Sequence, residues 1–151
     1  MRFVGDFHIH SKYARATSEK CDIEGLSQGA KLKGIDVLAT GDFTHPQYFK
    51  ELKMKLARRE KNGLYEYNGM RFILSTEVAN FFQLNENGKT KKIHNIVLAP
   101  SLAVVEQIND ILGKDQNLNF DGRPILKMSC AELVEKMNKI SKEIVIIPAH
   151  V

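Results

Sequence analysis

The sequence has little of what marks a membrane, secreted or repetitive protein. No stretch approaches the ~20 consecutive apolar residues of a membrane span. Asp6, His8 and His10 interrupt the N-terminal apolar stretch, so no signal-peptide core is expected there. There are 2 cysteines, Cys21 and Cys130, far apart and without metal or disulfide spacing. They read as reduced thiols of a cytoplasmic protein. Repeats and low-complexity segments are absent. Charge of one sign is also scarce. Lys+Arg number 22 against 18 for Asp+Glu, giving a net charge of +4 and a pI near 9.0. That balance favours an anionic partner mildly but is no nucleic-acid signature by itself. No Ser, Cys or Lys pattern of a covalent nucleophile stands out.

What is present suits one α/β domain. The 151 residues are 43% hydrophobic and 26% charged, ordinary values for a packed domain. Residues 2–7 read as a strand entering a histidine-bearing loop. Asp22 can N-cap a helix to about residue 33, with Gly34 as its stop. Residues 35–40 form a short apolar strand ending at Gly41-Asp42. Pro46 suits the first turn of a helix reaching about residue 60. Its Lys50, Lys53, Lys55, Arg58 and Arg59, with Lys61, make a basic surface that reads better as a solvated face than as a groove. Lys89–Lys92 read the same way.

Residues 64–67 and 70–75 flank Asn68-Gly69, a type I′ hairpin signal. A second hairpin joins 78–84 to 91–98 through a loop containing Asn85-Glu86-Asn87-Gly88. Ser101 caps a helix to about residue 112. A polar loop carrying Asp121-Gly122-Arg123-Pro124 follows. Ser129 or Cys130 then starts a helix to about residue 140, and 144–147 is an apolar strand. Strands alternating with helices predict an α/β fold with a largely parallel sheet.

The chemistry concentrates at predicted strand ends. His8 and His10 are an i, i+2 pair, which a strand directs to one face, where both can reach one metal ion. Imidazole suits zinc, iron, copper and nickel better than magnesium. Asp42, Glu77 and His150 also follow predicted strands, the edge at which α/β folds build sites. A carboxylate at the end of an apolar strand, as Glu77 is read here, is costly to bury unless paired or metal-bound; the plain alternative is a solvated strand end. Taken alone, His94 reads more readily as a core histidine and Asp42 as a turn residue or helix cap. Together, so many ligand-type residues at strand ends exceed coincidence. His45, ahead of Pro46, is the weakest histidine of the set. Lys12, Arg15 and Lys20 flank the histidine loop, either solvated or in contact with phosphate.

The run Asp6-Phe7-His8-Ile9-His10-Ser11 resembles motif I of the polymerase-and-histidinol-phosphatase (PHP) metal-dependent phosphoesterases. Thr40-Gly41-Asp42, Ser75-Thr76-Glu77-Val78, Lys92-Ile93-His94-Asn95 and Pro148-Ala149-His150 resemble its later motifs. Four longer stretches, residues 39–46, 71–78, 91–95 and 121–126, look like the endonuclease Q-like branch.

The resemblance implies that this chain is the N-terminal part of a distorted (β/α)7 barrel, residues 1–151 being a portion of a longer domain. It implies that His8 and His10 bind one metal, that Glu77 bridges to a second, and that His94 and His150 complete the second site. His8, His10 and Glu77 are thereby the catalytic set, and Lys12 and Arg15 the substrate contacts. Asp42 is either a further ligand or an orienting group, since Phe43 stands where many members carry a third-site histidine. Two or three divalent ions are therefore expected: zinc, with manganese and iron as alternatives. The activity implied is phosphodiester hydrolysis, nicking DNA 5′ of deaminated bases or abasic sites. The alternatives are a histidinol-phosphatase-type monoesterase and a metal-binding scaffold without activity. The expected partner is damaged DNA, with no membrane, and a homo-oligomer is left open. A last Asp-x-His motif has no match, so these residues alone are expected to be inactive.

Overall fold

The computed structural model describes residues 2–59, 63–84, 88–114 and 116–150, apart from the side chains of Arg58 and Arg59. Lys61 and residues 85–87 of the second hairpin loop lie outside the described residues. In chain order the elements are β1 (Gly5–Asp6), α1 (Ile23–Leu32), β2 (Val37–Ala39), α2 (Pro46–Lys55), β3 (Ala57–Arg59) and β4 (Leu64–Tyr67). They continue with β5 (Met70–Phe82), β6 (Lys91–Ala99), α3 (Leu102–Leu112), β7 (Ile125–Leu126), α4 (Cys130–Ile140) and β8 (Val145–Pro148).

The fold is α/β, and its sheet curls into part of a barrel. The long strand β5 makes the curl. Its first half pairs in parallel with β2 and antiparallel with β4. Its second half pairs antiparallel with β6 and, at Ala79 and Asn80, in parallel with β7. One strand thus belongs to two successive sheet segments. β1 adds in parallel outside β2, and β8 antiparallel outside β6. The sheet is mixed, not largely parallel. β1, β2, β3, β5, β7 and β8 share a direction, and β4 and β6 run against them.

Local chemistry explains most of the elements. Asp22 caps α1 by accepting from Gly25 N, and Ser101 caps α3 by accepting from Val104 N. α4 opens with a full capping box between Ser129 and Glu132. Asn68 and Gly69 have φ of 48° and 75°, the two positive values a type I′ turn requires. Three expectations are corrected. The helix from Pro46 stops at Lys55, because residues 57–59 pair with β4 instead. Residues 70–82 form one strand, because Ser75 to Glu77 have partners throughout in β6. Residues 125–126, read as loop, pair with β5.

Phe43, Tyr48, Leu52, Phe72, Leu74, Ile108, Leu112 and Leu133 are buried together in the apolar core. Cys21 and Cys130 are both free thiols. Among the described residues, no helix is long and apolar enough to cross a membrane.

Candidate metal centre

Four imidazoles converge on one buried carboxylate. Glu77 lies inside β5, facing Ile96 of β6, and its side chain is fully buried. It is therefore not at a strand end. Residues 77 and 79 share a face, and Ala79 is opposite His94. This register makes Glu77 and His94 diagonal neighbours on that face. Because β6 is antiparallel, its early residue His94 lies beside the late residues of β5 and β8. Ala149 N donates to His94 O at 2.9 Å, which brings His150 alongside.

The loop after β1 supplies His8 and His10. It lies on Gly41, where an added Cβ would come within 2.7 Å of Ile9 O. Gly41 has φ of 67°, so both its conformation and its close contact exclude a larger residue.

Glu77 Oε1 is 2.9 Å from His94 Nδ1, 3.0 Å from His150 Nε2 and 3.5 Å from His8 Nε2. Its Oε2 is 3.0 Å from His10 Nε2 and 3.3 Å from Arg123 Nη1. Around this carboxylate, His8 shares an oxygen with His94 and His150, while His10 faces the other.

Burial works to raise the Glu77 pKa. Hydrogen bonds with His10 and His150, together with the field of His94, outweigh it and hold the carboxyl well below the ordinary range. Hydrogen bonds to Asp42 and then Glu77 push His10 up to about 9. Burial lowers His94.

The donor set suits a divalent transition metal. Ligand atoms of His8, Glu77 and His150 all lie within 4.8 Å of one another. His94 adds a second indication. Its Nδ1 lies 2.9 Å from Glu77 Oε1, and its Nε2 is buried without a hydrogen-bond partner. A buried lone pair left unpaired in this way costs free energy. A bound cation would satisfy it.

Asp42 stands behind His10. It is fully buried, with φ of 45°. Its Oδ1 meets His10 Nδ1 at 2.9 Å, and its Oδ2 accepts from Ser11 N at 2.6 Å and Ser11 Oγ at 2.8 Å. A carboxylate holding the far nitrogen of a ligand histidine fixes its tautomer and raises its basicity. Buried hydroxyls pin this loop to β5. Gly41 N donates to Ser75 Oγ at 2.9 Å, and Thr44 Oγ1 lies 3.0 Å from Thr76 Oγ1.

Among the other residues named from sequence, Lys12 is turned onto α2, where it pairs with Glu51 at 3.2 Å. Arg15 pairs with Asp121. Lys20 is exposed. His45 is buried as the N-cap of α2, with Nε2 on Asn119 O and its ring stacked on Tyr13. Burial lowers its pKa.

Two residues of this site were not singled out by the sequence reading. Ser11 binds Asp42, and Arg123 reaches Glu77. The signal for Arg123 was the Asp-Gly-Arg-Pro turn, within the resembling stretch 121–126, but the residue was given no role there. Gly122 lets that turn seat directly on Asp42, since a Cβ there would stand 2.5 Å from Asp42 Cγ.

No protein-family profile matches the chain. Over 146 residues it is 32% identical to the uncharacterized protein MJ0043 of Methanocaldococcus jannaschii, a match spanning 96% of this chain and 16% of that protein. Among solved structures it is similar to the lesion-specific endonuclease PfuEndoQ of Pyrococcus furiosus. That TM-score is 0.83 at 30% identity, covering 98% of this chain and 34% of the other. A structure of endonuclease Q with a 27-mer duplex substrate carrying an abasic lesion at the active site gives 0.82 at 30% identity, covering 98% of this chain and 35% of the other. The chain therefore spans about a third of the solved chains it resembles and a smaller share of its relative. Its partial barrel is the fold of that part of endonuclease Q.

Proposed function

We propose that this chain carries the hydrolytic centre of a metal-dependent DNA endonuclease of the PHP type, acting at deaminated bases or abasic sites. The observation that carries this reading is the convergence of His8, His10, His94 and His150 on the two oxygens of Glu77. The similarity to endonuclease Q, seen in one structure on a duplex with an abasic lesion, supplies the substrate class.

The residues divide the work as follows. His8, His94 and His150 with Oε1 would hold one divalent ion, and His10 with Oε2 another; Glu77 is the link between them. When bound, such ions supply an acidified water as nucleophile and offset charge on the phosphate. Glu77 keeps its negative charge in the buried site and draws the histidines together. Asp42 anchors His10 through Nδ1, which leaves Nε2 directed at the cluster. His94 offers its unpartnered Nε2. The open side, a cavity of about 410 Å3 bounded by Lys92, Ile93, His94, Ala149 and His150, gives a strand room to approach.

The test compares nicking of duplexes containing hypoxanthine, uracil or an abasic site with hydrolysis of a small phosphate monoester. Wild-type protein with zinc or manganese is expected to nick the lesion duplex. Glu77→Gln is expected to lose at least ~100-fold, because it removes the charge shared by both ions. His45→Ala, at matched folding, loses far less. Monoester hydrolysis without nicking points to the phosphatase reading. Equal losses in the two variants overturn the role given to Glu77.

A further inference from the structure

A second cavity, of about 340 Å3, is bounded by Arg15, Gln116, Asn117, Phe120, Asp121 and Arg123. Arg123 belongs to both places: it lines this cavity, and its Nη1 lies 3.3 Å from Glu77 Oε2. The cavity therefore borders the hydrolytic cluster.

Its walls are unusual for a protein surface. Phe120 is 69% exposed, although burying an aromatic ring is strongly favourable. The Arg15 guanidinium lies 4.5 Å from the centre of that ring. Asp121 sets both arginines: its Oδ2 is 3.7 Å from Arg15 Nε, and its Oδ1 accepts from Arg123 N at 3.0 Å. Each guanidinium has one carboxylate contact, Arg15 with Asp121 and Arg123 with Glu77. A guanidinium carries five N–H donors in a planar fork that matches phosphate. The single contact of Arg123 with Glu77 uses a small part of that capacity.

Resting on the hydrolytic reading above, we propose that this cavity is a nucleotide subsite. Phe120, backed by Arg15, stacks one base. Arg123 binds the phosphate that links this nucleotide to the cluster. An exposed aromatic next to cationic side chains is the arrangement by which single strands are held without sequence preference.

The test measures binding, by fluorescence anisotropy, of the whole protein to a labelled strand of thymidines and to a baseless backbone of equal length, with EDTA present. Phe120→Ala is expected to weaken the thymidine strand about tenfold or more and the baseless strand by less than about twofold. Phe120→Trp is expected to restore the difference. Arg123→Gln weakens both strands alike, and Arg123→Lys recovers part of the loss, since charge returns without the fork. The subsite is overturned if Phe120→Ala affects both strands equally or neither, or if Arg123→Gln leaves both unchanged. Nicking of a hypoxanthine duplex with metal added separates the two readings. Nicking without these binding effects removes the subsite and leaves the hydrolytic reading. The binding effects without wild-type nicking do the reverse.

Discussion

Asp42 shows what a single side chain does at this centre. Its left-handed backbone costs a non-glycine residue about 1–3 kcal/mol, though Asp tolerates it better than most. Hydrogen bonds to Ser11 N, Ser11 Oγ and His10 Nδ1 hold it there. Asp42→Asn keeps the size and the conformational tolerance. It replaces one of the two acceptors with a donor, which must then face either Ser11 N–H or His10. Metal affinity of the whole protein is expected to fall about 10–100-fold, read by competition with a chromogenic chelator. Ser11→Ala leaves the Ser11 N–H in place and is expected to lose less. Unchanged affinity in Asp42→Asn would show that the carboxylate does not act through His10.

At the scale of elements, the turn of residues 121–124 couples distant parts of the chain. Gly122 N donates to Tyr13 O, and Gly122 O accepts from Thr44 Oγ1 at 3.1 Å. Pro124 O then accepts from Ala79 N as β7 begins. One turn thus ties the histidine loop, the Asp42 loop and β5 together, and it delivers Arg123 to Glu77. Gly122→Ala would drive a methyl into the buried Asp42 carboxyl. The expected cost is about 1–3 kcal/mol from overpacking, measured by urea denaturation. Gly29→Ala is the control. It lies within α1, and a Cβ there meets nothing within 4 Å. Removing a mid-helix glycine is expected to add about 0.5–1 kcal/mol of stability. A Gly122→Ala protein as stable as wild type would mean that the turn is not clamped on Asp42.

For the molecule as a whole, β1 and β8 are among the open margins of the sheet: among the described residues β1 pairs with β2 alone and β8 with β6 alone. Phe3, Val4, Val145 and Ile147 are exposed in or beside those strands. His150, a member of the cluster, has an exposed side chain and φ of 58°. Exposed strand edges invite pairing with other chains, and a ligand shell without outer support binds metal less tightly. The isolated 151-residue chain is therefore expected to lose metal on dialysis and to leave a hypoxanthine duplex uncut. Metal analysis after dialysis and a nicking assay check this. Tightly held stoichiometric metal with full nicking would show that these residues already contain a complete centre.

Much of this protein was legible from local pattern alone. The close spacing of His8 and His10 marked the site, although not for the reason expected: β1 ends at Asp6, so a loop and not a strand brings both histidines to Glu77. Asn68-Gly69, the caps Asp22 and Ser101, and the Pro46 start are local chemistry, and each lies where the pattern puts it. What the sequence could not decide depends on partners remote in the chain. Residues 57–59 left the helix because β4 offers them hydrogen bonds. The two strands expected within 70–84 merged because β5 has neighbours along its length. Arg123 reached Glu77, 46 positions away, through a glycine seated on a third segment. Asp42 came to rest behind His10 only when the loops after β1 and β2 packed together. Side-chain period and capping act over one to four residues. Strand pairing, and the direction a loop gives a charged side chain, depend on the closed three-dimensional arrangement.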